Sequence, residues 1–363
     1  MSTSADAGPG RSSEITLVSA DALRRTVAGV LVGNGTPGEI ATVVAELLVD
    51  ADLSGVDSHG CHLLAMYVQR ISAGQIDPAA VVTVERDDGS TVWLDAGLGL
   101  GQVAGLEAVR FAVERSAKHG IATICVREAT HLGALGAYTR RAAEAGRIAL
   151  CFQNGPTIVP PFGGITPMLS TNPISYAVPT NEQPTIVYDI ATTAVAGNKV
   201  LLAKKRGDAV LPAGWANDEH GRPTTDVAAA SVWNLQWFGA HKGFGLGLLV
   251  ELLGGVLAGS SYGRTEHTSS PVHGRDRVAK GFCLVAIDPE RFIGREEFRR
   301  RTDELIVDLR SSELADGVGR IILPGEPEHH RRIERSQIGI PLPTPLVADL
   351  NALATAVGAP SLV

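Results

Sequence analysis

The sequence predicts a mixed α/β (α+β) protein, in which a helical part built from both ends of the chain adjoins a central domain with a mixed sheet. Helical periodicity dominates both ends, whereas strand-like and helical segments alternate between them. The length of 363 residues is long for one compact core and fits two domains of the usual ~150 residues. We therefore expect residues 1–80 with 295–363 to form the helical part, and 81–294 the central domain.

Helix signals are strong near the N-terminus. Ser19 is placed to cap a first helix, and Thr36 with Glu39 has the spacing of a capping box for a second. Apolar residues then recur at helical spacing until Gly55, a residue type that often ends a helix. The stretch LLAMYVQRIS predicts a third helix that closes near Gly74.

The middle of the chain changes character. TVERDDGSTVWLD predicts two strands around an Asp-Gly turn. RGDAVLPAGWANDEHGRPTTD is typical of a long surface loop, and FGLGLLVELLGGVLAG predicts an apolar helix buried on most sides. The other predicted strands are IATICV, RIALCFQ, ISYAVPT, TIVYDIA and KGFCLVAID, and the other predicted helices are GQVAGLEAVRFAVERSAKHG, GALGAYTRRAAEAG, REEFRRRTDELIVDLRSS and TPLVADLNALATAVG.

Composition argues against several classes of protein. The net charge is −7 without a long basic run, so nucleic acid is a poor partner. Apolar stretches are short and interrupted, so no membrane span is predicted. The first fifteen residues have no apolar signal core and are expected to form a disordered tail. The cysteines show no CxxC pair and are expected to be buried reduced thiols of a cytoplasmic protein: Cys61, Cys125, Cys151 and Cys283.

One glycine pattern imitates a dinucleotide-binding motif. In WLDAGLGLGQVAG, glycines 97, 99, 101 and 105 stand between a predicted strand and a predicted helix. The spacing from Gly101 to Gly105 is one residue too long for the Rossmann motif. We therefore favour a tight strand-to-helix turn.

Two stretches offer groups for proton transfer. GVDSHG sets Asp57, Ser58 and His59 side by side after a helix, where Asp57 either orients an imidazole or caps the helix. His131 in THLGALGAY follows a strand and precedes a helix, a position where an imidazole can titrate near neutrality. The alternative for His131 is a structural histidine that caps the helix.

Three later stretches are suited to a phosphate or a ribose. STNPIS offers hydroxyl, amide and backbone donors, or is an ordinary polar turn. After Asp189, Thr192 and Thr193 are predicted to lead into a helix, whose free N–H groups attract anions or are simply capped. In AHKGFG, Lys242 stands among glycines that let the backbone approach a ligand, or it is a solvated residue at a glycine-rich helix start.

The order of these motifs resembles the type-2 malate/L-lactate dehydrogenase family. That family also contains sulfolactate and ureidoglycolate dehydrogenases, diketogulonate reductases and reductases of cyclic imino acids. Between about residues 20 and 357, SHG is followed by THLGALGAY, PFGG, TNPIS, DIATT, HKGFGLGLLVELLGG and PGE. So many motifs in register make the resemblance specific.

The resemblance implies an NAD- or NADP-dependent oxidoreductase on a non-Rossmann fold, commonly a homodimer. It transfers a hydride between the nicotinamide and a small 2-oxo or 2-hydroxy acid or a related cyclic imine. His131 is implied as the proton donor and acceptor, with Ser58 and His59 as further catalytic residues. The substrate site would include Ser58, His62, Leu63 and His131. The cofactor would contact His59, Ser170, Thr171, Asn172, Pro173, Asp189, Ala191, Thr192, His241, Lys242 and Gly243. No metal is expected.

Three positions depart from the family pattern. Leu63 stands where SHG-x-x-R would place an arginine for the substrate carboxylate, which leaves a reductase of a less acidic, specialised substrate as the alternative. GNK at 197–199 replaces GK and leaves the role of Lys199 open. His241 replaces a more usual tyrosine. The basic cluster 204–206 would meet a 2′-phosphate or be solvated.

Two other classes of protein compete with this interpretation. A catalytically dead binding protein need not keep Ser58, His59, His131, Asn172, Asp189 and Lys242 together. A metal hydrolase built on the ten histidines would need HxxxH or HxH spacing, which the sequence does not have. Both are therefore less favoured than the oxidoreductase.

Overall fold

The computed structural model describes residues 14–263 and 279–362, so the first thirteen residues of the predicted tail lie outside it. The helices are α1 (Ala20–Gly33), α2 (Gly38–Leu53), α3 (Leu64–Ser72), α4 (Gly101–His119), α5 (Gly136–Glu144), α6 (Gly197–Arg206), α7 (His241–Val250), α8 (Arg295–Arg310), α9 (Glu326–Ile338) and α10 (Thr344–Val357). The strands are β1 (Ile15–Val18), β2 (Thr83–Asp87), β3 (Thr91–Asp95), β4 (Ile121–Ala129), β5 (Ile148–Gln153), β6 (Ile174–Val178), β7 (Ile186–Ile190), β8 (Ala216–Asn217), β9 (Pro223–Thr224), β10 (Lys280–Ile287) and β11 (Ile340–Pro343). Within those residues, no helix combines the length and apolarity needed to cross a membrane.

A seven-stranded mixed sheet forms the centre, in the order β2-β3-β4-β10-β5-β6-β7. β3 and β4 pair in parallel, and the other neighbours in this sheet are antiparallel. β10, which comes late in the chain, lies between β4 and β5. The predicted mixed sheet is therefore confirmed, and its topology differs from the parallel doubly wound sheet of Rossmann proteins.

Separate apolar cores underlie the sheet and the terminal helices. One core joins β3, β4, β5 and β10 to α4 and α5. A second joins α1, α2 and α3 to α10, and β1 pairs antiparallel with β11 beside it. Both ends of the chain thus contribute to one helical core. The division at residues 80/81 and 294/295 stays a prediction.

The predicted capping box is wrong. α2 begins at Gly38 after Pro37 and receives no side-chain cap, and the buried Thr36 hydroxyl has no partner. Thr36 N–H donates to Leu31 O, which ties this residue to the end of α1, and its side chain is buried rather than placed at the start of α2. Ser19 does cap α1, and Gly55 closes α2 with φ +73°.

The apolar helix is also less covered than predicted. Its glycines pack closely: a Cβ on Gly247 would lie 2.3 Å from the Trp237 ring, and one on Gly254 would lie 2.9 Å from Asn154 N. Its opposite side exposes six aliphatic side chains by 39–57%: Leu246, Leu248, Leu249, Leu252, Val256 and Leu257. α7 also continues as a π-helix over Glu251–Leu257.

Two further predictions need correction. The predicted surface loop over residues 206–226 contains the short β8–β9 pair, and Thr192 and Thr193 do not start a helix, because α6 begins only at Gly197. Sequence patterns also missed β1, β11 and α9. The glycine turn before α4 agrees with the tight-turn interpretation: a Cβ on Gly101 would lie 2.6 Å from Thr130 O, and one on Gly105 would meet the Tyr138 ring.

Candidate active site

The SHG stretch is held by the end of α2. Residues 57–59 and 61–63 form two consecutive 3-10 turns, and Cys61 N donates to Asp52 Oδ2 at 2.8 Å. A Cβ on Gly60 would lie 1.7 Å from Asp52 Oδ1, so this position requires glycine. Burial raises the pKa of Asp52 to about 6. The turn is therefore fixed by its own preceding helix.

Asp57 acts on the neighbouring His62 imidazole through its charge and its backbone, and it also faces α9. Its Oδ1 lies 2.7 Å from Arg335 Nη1 of α9, which also donates to the carbonyl of Asp52. Nearby, Asp50 is paired with Arg140 and Arg332. Helix α9 thus holds the SHG stretch through Asp57 and through the end of α2.

Two imidazoles stack beside this turn. The ring centroids of His59 and His131 are 5.5 Å apart, with 21° between the ring planes. Ser58 Oγ lies 2.9 Å from His59 Nδ1. Burial, followed by the neighbouring charge of His59, lowers the pKa of His131 to about 3, and burial also lowers the pKa of His59. Both rings are therefore neutral at pH 7 in the free protein.

Tyr67 and Gln102 back the His131 ring. Tyr67 Oη lies 3.2 Å from His131 Nδ1, and Gln102 Nε2 donates to Tyr67 Oη at 2.8 Å. Both side chains are fully buried, and burial raises the pKa of Tyr67. Ser58, His59, Tyr67, Gln102 and His131 are called the histidine cluster below. Sequence analysis missed Tyr67 and Gln102, although Tyr67 follows SHG on the next helix and Gln102 follows the close-packed Gly101.

The His131 backbone is fixed on both sides. Gln153 donates to Thr130 O at 3.1 Å and accepts from Leu132 N at 3.3 Å, and Tyr138 Oη donates to Leu132 O at 2.6 Å. His131 does not cap α5, because Asp189 Oδ2 accepts from Gly136 N at 2.7 Å instead. The ring is thus held in the cluster by its neighbours.

A second group of buried polar side chains joins the TNP turn to α7. Asn172, in the left-handed region at φ 38°, donates through Nδ2 to Gly247 O and to Glu251 Oε2, each at 2.8 Å. Glu251 Oε1 also accepts from Gly263 N at 2.9 Å and lies 3.4 Å from Asn154 Nδ2. Asn154, Asn172 and Glu251 are called the Asn172–Glu251 network. Gln153 and Asn154 are adjacent, so the end of β5 contacts both groups.

Several other residues predicted to bind the cofactor lie near this network. Thr192 Oγ1 donates to the carbonyls of Thr171 and Asn172, which joins the segment around Ala191 to the turn. Ser170 is buried against Gly155, and Pro173 leads into β6. His241 and Lys242 are exposed at the start of α7, while Gly243 is buried where a Cβ would meet Phe238 O at 2.2 Å. The structure therefore gathers residues 170–173, 191, 192 and 243, and places Asp189 at α5.

Leu63 does not project as a polar anchor. It is half-buried and packs against the core of the terminal helices. The neighbouring His62 has a buried Nδ1 atom without a partner. Arg70 of α3 stands three residues after Tyr67, hence on one helical face with it, and seven residues after Leu63, which directly precedes the helix. Its positive charge acts on both His131 and Tyr67.

Two other parts of the surface carry residues singled out in the sequence, namely the PFGG turn and the basic cluster 204–206. A groove of about 320 Å³ is bordered by the PFGG turn, the β8–β9 turn and Trp237. Lys199 lies 5.9 Å from the Trp215 ring centroid, and Arg206 is paired with Asp208 at 2.5 Å. The basic cluster is thus partly neutralised by an acidic neighbour.

A central mixed sheet with stacked, half-buried imidazoles, and with a buried tyrosine hydroxyl and glutamine amide behind them, is equipped for proton transfer. The family model for malate/L-lactate dehydrogenase matches residues 18–351. The chain is 34% identical to L-sulfolactate dehydrogenase of Methanocaldococcus jannaschii, over 86% of this chain and 89% of that protein. It is 35% identical to malate dehydrogenase of Pyrococcus abyssi, over 94% and 95%. The crystal structure of malate dehydrogenase from Entamoeba histolytica superimposes with a TM-score of 0.88 at 27% identity, covering 96% of this chain and 99% of that one.

The chain belongs to the malate/L-lactate dehydrogenase family. It is therefore an oxidoreductase of the dehydrogenase type, which confirms the expectation drawn from its motifs.

Proposed function

We propose that this enzyme interconverts a small 2-oxo acid, or a related cyclic imine, with its 2-hydroxy or amino counterpart, using NAD or NADP. The stacked His59–His131 pair, backed by the Tyr67 hydroxyl, is the observation that carries this proposal. In a family of dehydrogenases, such a pair supplies the proton that accompanies hydride transfer.

The residues around the Asn172–Glu251 network fit a nicotinamide cofactor. Asn172 Oδ1 is buried and has no partner, so it can accept from a ligand amide. The exposed Lys242 at the start of α7 supplies positive charge beside helix N–H groups, an arrangement that favours a phosphate. When bound, the cofactor supplies or removes the hydride.

His131 acts as the acid and base in this proposal. In the oxidation direction, neutral His131 takes the hydroxyl proton of the substrate, and in reduction the imidazolium returns it to the carbonyl oxygen or imine nitrogen. Burial lowers the pKa of His131 to about 3 in the free protein, so the ring is unprotonated there but has a low affinity for a proton. A substrate carboxylate nearby raises the pKa and makes the imidazolium accessible. Ser58 orients His59 beside the substrate.

Arg70 is the candidate anchor for the substrate carboxylate, in place of the arginine absent at Leu63. It shares a helical face with Tyr67, its charge reaches His131, and it forms no ion pair with the residues the structure describes. The relatives reported above are named for acidic substrates, so they do not favour the alternative of a less acidic one.

A second copy of the chain is the proposed partner. The exposed aliphatic side of α7 and its π-helical continuation is the kind of surface that a homodimer covers. The four cysteines are free and buried, which suits a cytoplasmic enzyme.

The test of the reaction is a panel of 2-oxo acids and cyclic imines followed at 340 nm with NADH and with NADPH. Oxaloacetate, pyruvate, sulfopyruvate and piperideine-2-carboxylate should give at least one substrate with kcat/KM above about 10⁴ M⁻¹s⁻¹. Absence of turnover with every member and both cofactors would contradict the proposal.

The test of the anchor is Arg70→Met. A charge-assisted hydrogen bond is worth about 1.5–3 kcal/mol, so kcat/KM for the best acid should fall roughly 10- to 150-fold. Arg70→Lys should recover part of this loss, and Arg25→Met at an exposed position of α1 is the matched control. Leu63→Arg should raise kcat/KM for simple 2-oxo acids if its longer side chain reaches the site. Unchanged kcat/KM in Arg70→Met assigns the carboxylate to another group.

A further inference from the structure

A continuous hydrogen-bond chain leads away from His131 into the protein. It runs from His131 Nδ1 to Tyr67 Oη at 3.2 Å, and from Tyr67 Oη to the Gln102 side-chain amide at 2.8 Å. The three residues come from the loop after β4, from α3 and from α4. Tyr67 and Gln102 are both fully buried, so bulk water cannot replace either partner.

Tyr67 has one proton, so the chain has two possible directions. When Gln102 Nε2 donates to Tyr67 Oη, the Tyr67 proton is left for His131 Nδ1, and neutral His131 carries its own proton on Nε2. When the amide turns by 180°, Tyr67 donates to Gln102 Oε1 and accepts from His131 Nδ1–H. In that direction, Nε2 holds a free lone pair.

The two directions suit different states of the reaction. A base that takes the substrate proton on Nε2 requires the second direction, and so does the imidazolium, since both of its nitrogens are donors. In the first direction, a charged His131 would leave the Tyr67 proton buried without an acceptor, which is unfavourable. Gln102 Oε1 is buried without a partner in the first direction, so no other hydrogen bond holds that oxygen in place.

Resting on the function proposed above, we propose that Gln102 is a positioning residue that decides, through Tyr67, which ring nitrogen of His131 carries the proton. Rotation of its amide switches neutral His131 between a form that can only donate at Nε2 and a form that can accept there. Tyr67 keeps its own proton in this change and only turns its O–H from His131 to Gln102 Oε1. The half-exposed His131 ring gives its Nε2 proton to water and receives a proton from water at Nδ1, so the number of protons on the chain is the same in both directions. The substrate proton taken on Nε2 is balanced by the positive charge on the imidazolium.

The charged groups around His131 oppose its protonation, so the hydrogen-bond chain matters for the charged form of the ring. The charges that act on the ring come from His59 and His62 in the 3-10 turns and from Arg70 on α3, and each opposes the imidazolium when charged. Tyr67 and, behind it, Tyr138 of α5 are the other titratable groups packed there, and burial keeps both phenols protonated. The protein therefore stabilises the imidazolium through the hydrogen-bond acceptor at Nδ1, which is Tyr67 Oη.

Four variants separate the two directions. Gln102→Glu replaces the amide by a carboxylate that accepts from Tyr67 and enforces the second direction. Gln102→Met removes the bond at similar length, and Tyr67→Phe cuts the chain at its centre. Tyr176→Phe on β6 is the matched control, because it removes the hydroxyl of a tyrosine that lies outside the histidine cluster and packs against Tyr188.

The first measurement is long-range ¹H–¹⁵N NMR on histidine-labelled protein without substrate. We expect His131 to carry its proton on Nε2 in the wild type and the Tyr176→Phe control, and on Nδ1 in Gln102→Glu. The pKa of His131 should rise by about one unit or more in Gln102→Glu, a tenfold change in proton affinity. Gln102→Met and Tyr67→Phe should lose the preference for one nitrogen.

The second measurement is the pH profile of kcat/KM in the oxidation direction. Its acidic limb should move up by about one pH unit in Gln102→Glu. Gln102→Met should lower kcat/KM by about three- to tenfold, the worth of one neutral hydrogen bond, while cofactor Kd stays the same.

An unchanged His131 tautomer in Gln102→Glu and Tyr67→Phe overturns the proposal, as does a changed tautomer with an unchanged pH profile. Because the NMR measurement needs no turnover, an inactive wild type would refute the proposed function and leave this test intact. If the Gln102 variants do not fold, Tyr67→Phe alone decides, since the same loss of preference is expected from it.

Discussion

The histidine cluster and the Asn172–Glu251 network lie on either side of the end of β5, and they differ in how their buried polar atoms are bonded. In the network, the Glu251 carboxylate accepts from Gly263 N and Asn172 Nδ2, and each donor has one direction. In the histidine cluster, hydroxyl and imidazole groups face one another, and each can donate or accept.

The network therefore holds a turn of the backbone in place, whereas the histidine cluster is suited to transferring a proton. A carboxylate that only accepts from N–H groups fixes the turn at residues 170–173 in one geometry. Groups that both donate and accept leave the position of a proton open, which an acid–base catalyst requires. The three predictions that follow test this contrast, from the largest expected effect to the smallest.

His131→Ala should lower turnover by about 10²–10⁴-fold, the usual worth of a positioned acid–base group. Cofactor affinity should change little, because the predicted cofactor residues cluster around the Asn172–Glu251 network. Steady-state kinetics and cofactor titration by tryptophan fluorescence check both points. If His131→Ala keeps near-full turnover and His59→Ala does not, the roles of the two imidazoles are exchanged.

Glu251→Leu should lower the free energy of unfolding by about 3 kcal/mol, because buried donors lose a charged acceptor. Cofactor Kd should rise along with this loss, since Asn172 is no longer held. Denaturant unfolding, with the exposed Glu46→Leu as control, measures the effect. Stability equal to that of the control would mean that the network does not hold the turn.

Gly101→Ala should cost about 1–3 kcal/mol through overpacking, since its Cβ would lie 2.6 Å from Thr130 O and 2.7 Å from His131 O. Gly99→Ala, where the nearest atoms are 3.0 Å away, should cost less. Gly38→Ala has open space and serves as the control. Loss of cofactor binding with normal stability would instead support a dinucleotide-binding role for this turn.

Local patterns predicted much of the fold. The Ser19 cap, the turn at Gly55, the β2–β3 hairpin and the central strands all follow from short-range signals and appear in the structure. The start of α9 had a signal as well: Gly325, Glu326 and Pro327 form a helix start, and its charged composition concealed it. β1 and β11 could not be predicted, because each is stabilised by a partner about 325 residues away.

Residues of the candidate site that belong to a sequence motif could be predicted. Residues that only tertiary packing brings to the site could not. His59 and His131 stand out in the sequence, and the structure stacks them. Tyr67 and Gln102 occupy ordinary helical positions, so only the approach of α3 and α4 shows their role. The apolar helix was predicted to be buried because its sequence does not show that the glycine side alone faces the sheet.

The pairing of β1 with β11 has a consequence for biosynthesis. Ile15–Val18 leave the ribosome long before their partners Ile340–Pro343 are made. At about 5–20 residues per second, translation separates the two strands by roughly 16–65 s. The N-terminal helices must wait that long for α10 to complete their core, with apolar faces open to chaperones. A circular permutant that joins residue 362 to residue 14 and opens the chain between β8 and β9 would shorten that delay.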